Sequence, residues 1–157
     1  MAIGVGDKSV SDELGPAGTL SADGQHIMPV RVYYEDTDAS GIVYHANYLR
    51  FVERGRTDVL RCAGLDHRTM MDAEDSTAFA VRQMNIRFIA PARLDDALEV
   101  RTQFTEVRGA RIRACQTVWR GETQLFEAEV EIAVLDGKGR ARRIPAFVRD
   151  ALAPYVA

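Results

Sequence analysis

Asp36, Asp38, Gly41 and His45 fall in one short segment, Arg31-Val32-Tyr33-Tyr34-Glu35-Asp36-Thr37-Asp38-Ala39-Ser40-Gly41-Ile42-Val43-Tyr44-His45-Ala46-Asn47-Tyr48. The segment reads as a strand, an acidic turn, and a glycine loop that delivers one histidine to the start of a long helix. A carboxylate, an imidazole and a helix N-terminus held together can position a water, polarise a carbonyl and stabilise an oxyanion. Asp38 is the candidate base or, less commonly, the nucleophile. The helix start around His45 and Ala46 offers backbone N–H groups at the positive end of a helix dipole. His45 can hold a carbonyl or shuttle a proton. Gly41 lets the chain turn sharply with no side chain in the way of a bound group.

The same residues admit plainer readings. Asp36 and Asp38 can form an Asx turn, with His45 merely opening the helix. A D-x-D pair also occurs in metal loops, but the neighbouring ligands those loops need are missing here. Tyr33, Tyr34, Tyr44 and Tyr48 suit either an acyl or aromatic pocket or ordinary core packing. The three histidines, His26, His45 and His67, and the two cysteines, Cys62 and Cys115, show no zinc-type spacing. No metal and no cofactor is expected, and the cysteines read as reduced, idle thiols.

A chain of 157 residues with 46% hydrophobic and 27% charged residues suits one globular domain with a real core. Its formal net charge of −3 argues against general nucleic-acid binding. No apolar run reaches the roughly 20 residues of a membrane helix, and no secretory signal pattern opens the chain. A cytoplasmic location and no membrane insertion are the expectations.

Residues 1–27 are rich in Gly, Ser, Asp and Ala without a sustained period, which predicts a flexible extension with His26 in solvent. Residues 28–157 form the expected domain. Val30, Val32 and Tyr34 alternate with their neighbours as a first strand from Met28. A helix over about 46–63 carries Tyr48, Phe51, Val52, Gly55, Val59, Cys62 and Ala63 on one stripe, with Asn47 early in it and Gly64 as its stop. Gly55 on that stripe costs roughly 1 kcal/mol of helix stability relative to Ala, and implies close approach to a sheet. Arg50, Arg54, Asp58 and Arg61 read as a solvated face, with Asp58 four residues from Arg54.

A short second helix over 66–75 is followed by period-two alternation to the end of the sheet. Phe79 and Val81 are in one phase and Met84, Ile86 and Phe88 in the other, which predicts a β-bulge near Arg82-Gln83. Three further strands contain Leu98–Phe104, Ile112–Val118 and Phe126–Val134, joined by turns at Arg108-Gly109 and Gly121-Glu122. Pro145 starts a short C-terminal helix. The expectation is α+β: one long helix on a five-stranded antiparallel sheet whose last four strands form a meander.

The segment around Asp38 resembles, almost residue for residue, the signature of the Tol–Pal-associated acyl-CoA thioesterases, in the 4-hydroxybenzoyl-CoA thioesterase branch of the hotdog fold. The likeness continues through Phe51-Val52-Glu53-Arg54-Gly55-Arg56-Thr57, Phe79-Ala80-Val81-Arg82, Ala90-Pro91-Ala92-Arg93-Leu94-Asp95-Asp96, Arg108-Gly109 and Glu127-Ala128-Glu129-Val130, over about residues 29–148. By this resemblance Asp38 matches the catalytic aspartate and His45 the histidine before the helix, and the backbone N–H at His45 falls where related enzymes polarise the thioester carbonyl. Asp36 is then structural, and Asn47 has no catalytic role. Gly41, Tyr44, Arg108 and Gly109 are expected to contact substrate, the last two near the nucleotide phosphates unless they only build a hairpin turn. The resemblance further implies homodimers pairing into homotetramers with sites at subunit interfaces. The expected substrate is an acyl-CoA, and acyl carrier protein or lipid-synthesis enzymes are further partners. A thiolate leaves readily, so such chemistry needs neither metal nor elaborate triad. Two rivals remain: a hotdog dehydratase, whose motif is absent, and a non-enzymatic partner of the Tol–Pal envelope machinery.

Overall fold

A computed structural model describes residues 15–72 and 75–157. Strand β1 (Thr19–Leu20) and strand β2 (His26–Arg31) precede the long helix α1 (His45–Cys62) and the short helix α2 (His67–Asp72). Then follow β3 (Ala78–Phe88), β4 (Ala97–Arg108), β5 (Arg111–Arg120), β6 (Thr123–Leu135) and helix α3 (Ala146–Leu152). The strands form one six-stranded sheet in the order β1-β2-β4-β5-β6-β3, all neighbours antiparallel. The architecture is the expected α+β one with one strand more, the two-residue β1.

Helix α1 packs against the sheet because its apolar stripe is continuous. Tyr48, Phe51, Val52, Gly55 and Val59 are all buried. They meet the inward side chains of β4, β5 and β6, where Leu98, Val100, Phe104, Ile112, Ala114, Val118, Val130 and Val134 alternate with more exposed neighbours and Phe126 is buried beside an equally buried Leu125. Gly55 marks the tightest point: a Cβ there would stand 2.8 Å from Val100 Cγ1 and 3.2 Å from Thr102 Oγ1. Gln116, fully buried, ties the two layers together by donating from Nε2 to Val52 O at 2.8 Å and to Thr102 Oγ1 at 2.9 Å. Gly64 ends the helix at φ +80°, a left-handed conformation that suits glycine.

The expected bulge is present as a register shift between Val81 and Gln83. The meander is only partly so. Strands β4, β5 and β6 are successive hairpins, but β3 pairs with β6 rather than with β4. The connection 89–96 holds no two-residue turn and contains Pro91, so it crosses the end of the sheet instead. It spans three strand spacings, roughly 14 Å, which a few extended residues cover. On its way, Ile89 and Ala90 donate to Leu125 O, Val43 donates to Ala92 O, Val32 donates to Asp96 O and Asp95 donates to Val32 O. Helix α2 covers less than the expected 66–75; residues 73 and 74 lie outside the described residues.

The first strand also differs from expectation. It starts at His26 and stops at Arg31, so it crosses the predicted domain boundary, and Tyr34 belongs to a 3-10 turn over Tyr34–Asp36. Val32 continues the inward alternation, but the Asp36 side chain accepts the Tyr33 N–H and turns the chain out of the sheet. Residues 1–14 of the predicted extension lie outside the described residues, whereas Thr19–Leu20 pairs with His26–Ile27. His26 is 0% exposed, contrary to the solvent position expected, because its Nε2 donates to Asp58 Oδ2 at 2.8 Å. Asp58 is correspondingly buried rather than paired with Arg54, and it also accepts Ala17 N–H at 2.8 Å and Gly18 N–H at 2.7 Å. One carboxylate on α1 thus anchors the segment before β2. Composition could not reveal this, since the partners are 32 to 41 residues apart.

Asp58, His26 and Cys62 place three ligand-type atoms within 4.8 Å, a set that linear spacing conceals. The tautomer opposes a metal there. His26 Nε2 spends its proton on Asp58, and freeing it would put an N–H on the buried Nδ1, which has no partner among the described residues. Burial, followed by the Asp58 charge, pushes the Cys62 thiol above its ordinary range, so it is a poor nucleophile.

Gly55→Ala should lower stability by about 1 kcal/mol in urea unfolding. The helix-propensity gain is about 1 kcal/mol, but overpacking against a rigid valine costs typically 1–3. Asp58→Ala should lose roughly 3 kcal/mol, because two buried donors, Gly18 N–H and His26 Nε2, and the part-buried Ala17 N–H lose their acceptor. A neutral result would show that residues 15–27 do not depend on this anchor.

Candidate active site

The loop before α1 is built around the Asp36 carboxylate. Asp36 Oδ2 accepts the Tyr33 N–H at 2.8 Å and Oδ1 accepts from Asn47 Nδ2 at 2.8 Å, while its backbone carbonyl accepts Tyr44 N–H at 2.9 Å. Both side chains are buried. Asn47 sits in the first turn of α1, so this pair fastens the loop to the helix start. Asn47 therefore positions the loop, which the sequence reading of it as an early-helix residue did not reach. Its signal was a short amide one turn into a helix, following an acidic turn.

With Asp36 turned inward, Asp38 is turned out. A bridge between Thr37 and Val43 closes the loop, Asp38 N–H donates to Ile42 O at 2.9 Å, and Gly41 N–H donates to Asp38 O at 3.0 Å. Gly41 has φ +76° and no atom within 4 Å of a would-be Cβ, so backbone conformation rather than crowding calls for glycine. The Asp38 side chain is exposed and accepts Ser40 N–H on Oδ1 at 2.8 Å, the Asx turn anticipated from sequence. Its Oδ2 has no hydrogen-bond partner among the described residues, which leaves an oxygen facing water. An Asx turn and a catalytic carboxylate are thus compatible here.

His45 is the first residue of α1, where N–H groups lack intrahelical acceptors. Tyr44, the N-cap, makes no side-chain bond to them. The His45 ring lies 4.5 Å from the Tyr44 ring and 6.2 Å, edge-on, from Phe88 (centroid distances). No hydrogen bond joins His45 to Asp38 among the described residues. Beside them an open cleft of about 320 Å³ is lined by Ile42, Val43, His45, Tyr48, Phe88 and Ile89 with Ala90 and Pro91. Tyr48 itself is core: its ring stacks on Phe126 at 5.2 Å and its hydroxyl oxygen accepts Ala92 N–H at 2.9 Å. Tyr33 and Tyr34 point to solvent outside this cleft's lining, so of the four tyrosines Tyr44 and Tyr48 are the ones beside His45.

Arg108 and Gly109 are not brought to this place. They form the β4–β5 turn, and Gly109 O accepts Ile144 N–H. The loop of Asp38 is tied to Ala92 and Arg93, at the opposite end of the 12-residue β4, about 36 Å away along an extended strand. Within one chain the expected nucleotide contact and the candidate carboxylate therefore lie at opposite ends of the sheet.

The chain is similar to known proteins. Residues 40–127 match the Thioesterase superfamily. The chain is 46% identical over 119 residues to an acyl-CoA thioester hydrolase, YbgC, of Escherichia coli O6:H1, covering 74% of this chain and 87% of that one. It is 44% identical over 124 residues to the acyl-CoA thioesterase YbgC of Haemophilus influenzae, covering 78% and 90%. In three dimensions it is similar to a probable thioesterase from Bartonella henselae, with a TM-score of 0.75 and 41% identity over 77% of this chain and 99% of that one.

Asn47→Ala should lower turnover at least tenfold while the protein stays folded, because the loop loses its tie to α1. The exchange Asp36→Asn with Asn47→Asp moves the donor to position 36 and the acceptor to position 47, leaves position 36 an oxygen for Tyr33 N–H, and should restore much of it. Thiol release in the single and double variants checks this, and equal activity in all of them would remove the positioning role. The fold, the loop and these likenesses together place the chain in the Thioesterase superfamily.

Proposed function

We propose that the protein is an acyl-CoA thioesterase that hydrolyses the thioester to a free acid and coenzyme A. The observation that carries the reading is the Asp38 carboxylate, exposed, with one oxygen free, on a loop locked to the start of α1. Asp38 either takes a proton from water or attacks the carbonyl itself. The first N–H groups of α1 draw charge onto the carbonyl oxygen, where a developing oxyanion gains most from fixed donors. His45 assists in holding the substrate or moving a proton, and Gly41 and Tyr44 flank the bound acyl group. The family relatives' names support acyl-CoA as the substrate class.

The assembly we propose is a homodimer, with dimers pairing into tetramers. Strand β3 is an edge of the sheet, and Val81 (46% exposed) and Phe88 (55%) lie on it in the open. An uncovered edge of this length invites a further strand. Antiparallel pairing of β3 with its copy would bring the partner's far sheet end, with its Arg108–Gly109 turn, towards the Asp38 end. That arrangement lets Arg108 reach the coenzyme phosphates across the interface. A cytoplasmic location, the Tol–Pal connection and acyl carrier protein as an alternative thiol belong to the same proposal. No helix among the described residues is long and apolar enough to cross a membrane.

Asp38→Asn should cut thiol release from a panel of short, medium, long and aromatic acyl-CoAs by at least about 100-fold, with an unchanged circular dichroism spectrum. His45→Ala should lose less, about tenfold. Full turnover in Asp38→Asn would sink the assignment, and release from no member by the wild-type protein would favour a scaffold role.

A further inference from the structure

His45 lacks the usual supports of a side chain that has to meet a substrate. As the first residue of α1 it has no preceding helical turn to lean on. Neither ring nitrogen makes a hydrogen bond among the described residues. Two rings lie against it instead. Tyr44, the residue before it, stands 4.5 Å away at a tilt of 54°, but is itself 46% exposed. Phe88 stands 6.2 Å away at 88°, in the edge-on arrangement.

Phe88, unlike Tyr44, is braced from behind. It is the last residue of β3 and lies opposite Phe126 of β6, and the next residue, Ile89, donates to Leu125 O at 2.8 Å. Its ring meets Phe126 at 5.5 Å and 62°, and Tyr48 at 5.8 Å and 67°. Those two rings stack on each other at 5.2 Å and 6°, and both are buried. Aromatic quadrupoles favour tilted and edge-on pairs, so such contacts have direction where contacts between aliphatic chains have little. A line of rings thus runs from the core, through Phe88, to the imidazole in the cleft.

We infer that Phe88 is a positioning residue for His45, holding the imidazole in one rotamer over the cleft. A hydrogen-bonded partner would also orient the ring, but would occupy one of its nitrogens. Aromatic contact orients it and leaves both nitrogens for the substrate. An imidazole that swings between rotamers meets the carbonyl for only part of the time, so orientation enters the rate. The effect on turnover rests on the thioester hydrolysis proposed above, whereas the ring contact itself does not. Pairing along β3 is compatible with this role, because the contacts of Phe88 with Tyr48 and His45 face α1 and need no access from solvent.

The test uses the full chain and the fastest member of the acyl-CoA panel. Phe88→Leu keeps an apolar side chain and removes the ring. It should lower kcat about fivefold with KM within about twofold, whereas Phe88→Tyr should keep most of the wild-type rate. In a His45→Ala background, Phe88→Leu should change kcat by less than about 1.5-fold, because the group it acts through is gone. A loss caused by weaker pairing or by substrate contact would persist there. The rotamer is read without turnover: the Hα–Hβ couplings of His45 should show one χ1 well in the wild-type protein and averaging in Phe88→Leu. Phe88→Met repeats each measurement if Phe88→Leu does not fold. Unchanged kcat in Phe88→Leu, an equal loss in the His45→Ala background, or unaltered couplings would each overturn the inference. So would a Phe88→Tyr protein as slow as Phe88→Leu. A wild-type protein that releases no thiol would sink the proposed function alone, and the couplings would still decide whether Phe88 holds the ring.

Discussion

The seating of α1 on the sheet at Gly55 is the contact on which the rest of the molecule depends. A hydrogen in place of a side chain lets the helix backbone come within reach of Val100 and Thr102, and lets Gln116 bond directly to Val52 O. A helix is stiff, so fixing its middle against β4 and β5 fixes both ends. The N-terminal end then emerges beside the 89–96 connection, where Tyr48 and Val43 fasten it to Ala92. The other half carries Asp58 under the β1–β2 segment. A side chain at Gly55 would lift the helix and loosen all three attachments together.

What the helix fixes in position, the Asp36 loop converts into chemistry. Two acids two residues apart are given opposite fates by hydrogen bonding. Asp36 is buried and its oxygens are spent on Tyr33 N–H and Asn47 Nδ2, neutral donors that hold it without a cation. Asp38 is then forced outward by the reversal between Thr37 and Val43. A rigid, saturated carboxylate behind a free one is an economical way to hold a reactive group still, since polar donors inside the fold cost little to keep ordered once α1 is in place.

The sequence made the regular elements readable because their signals are local. Helix α1 began one residue from its expected start, the bulge fell at Arg82-Gln83, and the inward residues of β4, β5 and β6 were those the alternation indicated. The D-x-D turn and the first helical histidine were also visible. What escaped depends on distant partners. The burial of His26 rests on Asp58, 32 residues later, and the place of β3 beside β6 rests on a connection whose path no periodicity records. Asn47 looked like a helix-start residue because its partner lies on the preceding turn and not in the helix. Nothing local in the sequence tells that Gln116, 60 residues away, holds Arg56.

Phe88 and Ile89, at the end of β3, line the open cleft at His45, so exposed apolar surface lies beside the group proposed to react. A carboxylate in water is a weak base and its attack on a thioester is slowed by hydration, whereas dry surroundings strengthen both the carboxylate and the helix-start donors. One chain alone leaves Asp38 hydrated. The proposed pairing along β3 would cover Phe88 and narrow the cleft, so that the surface making the dimer would also be the surface that excludes water from the reaction. Assembly and catalysis would then share one physical cause. On this reading a change at the β3 edge that weakens pairing lowers turnover without touching Asp38, His45 or the loop that holds them.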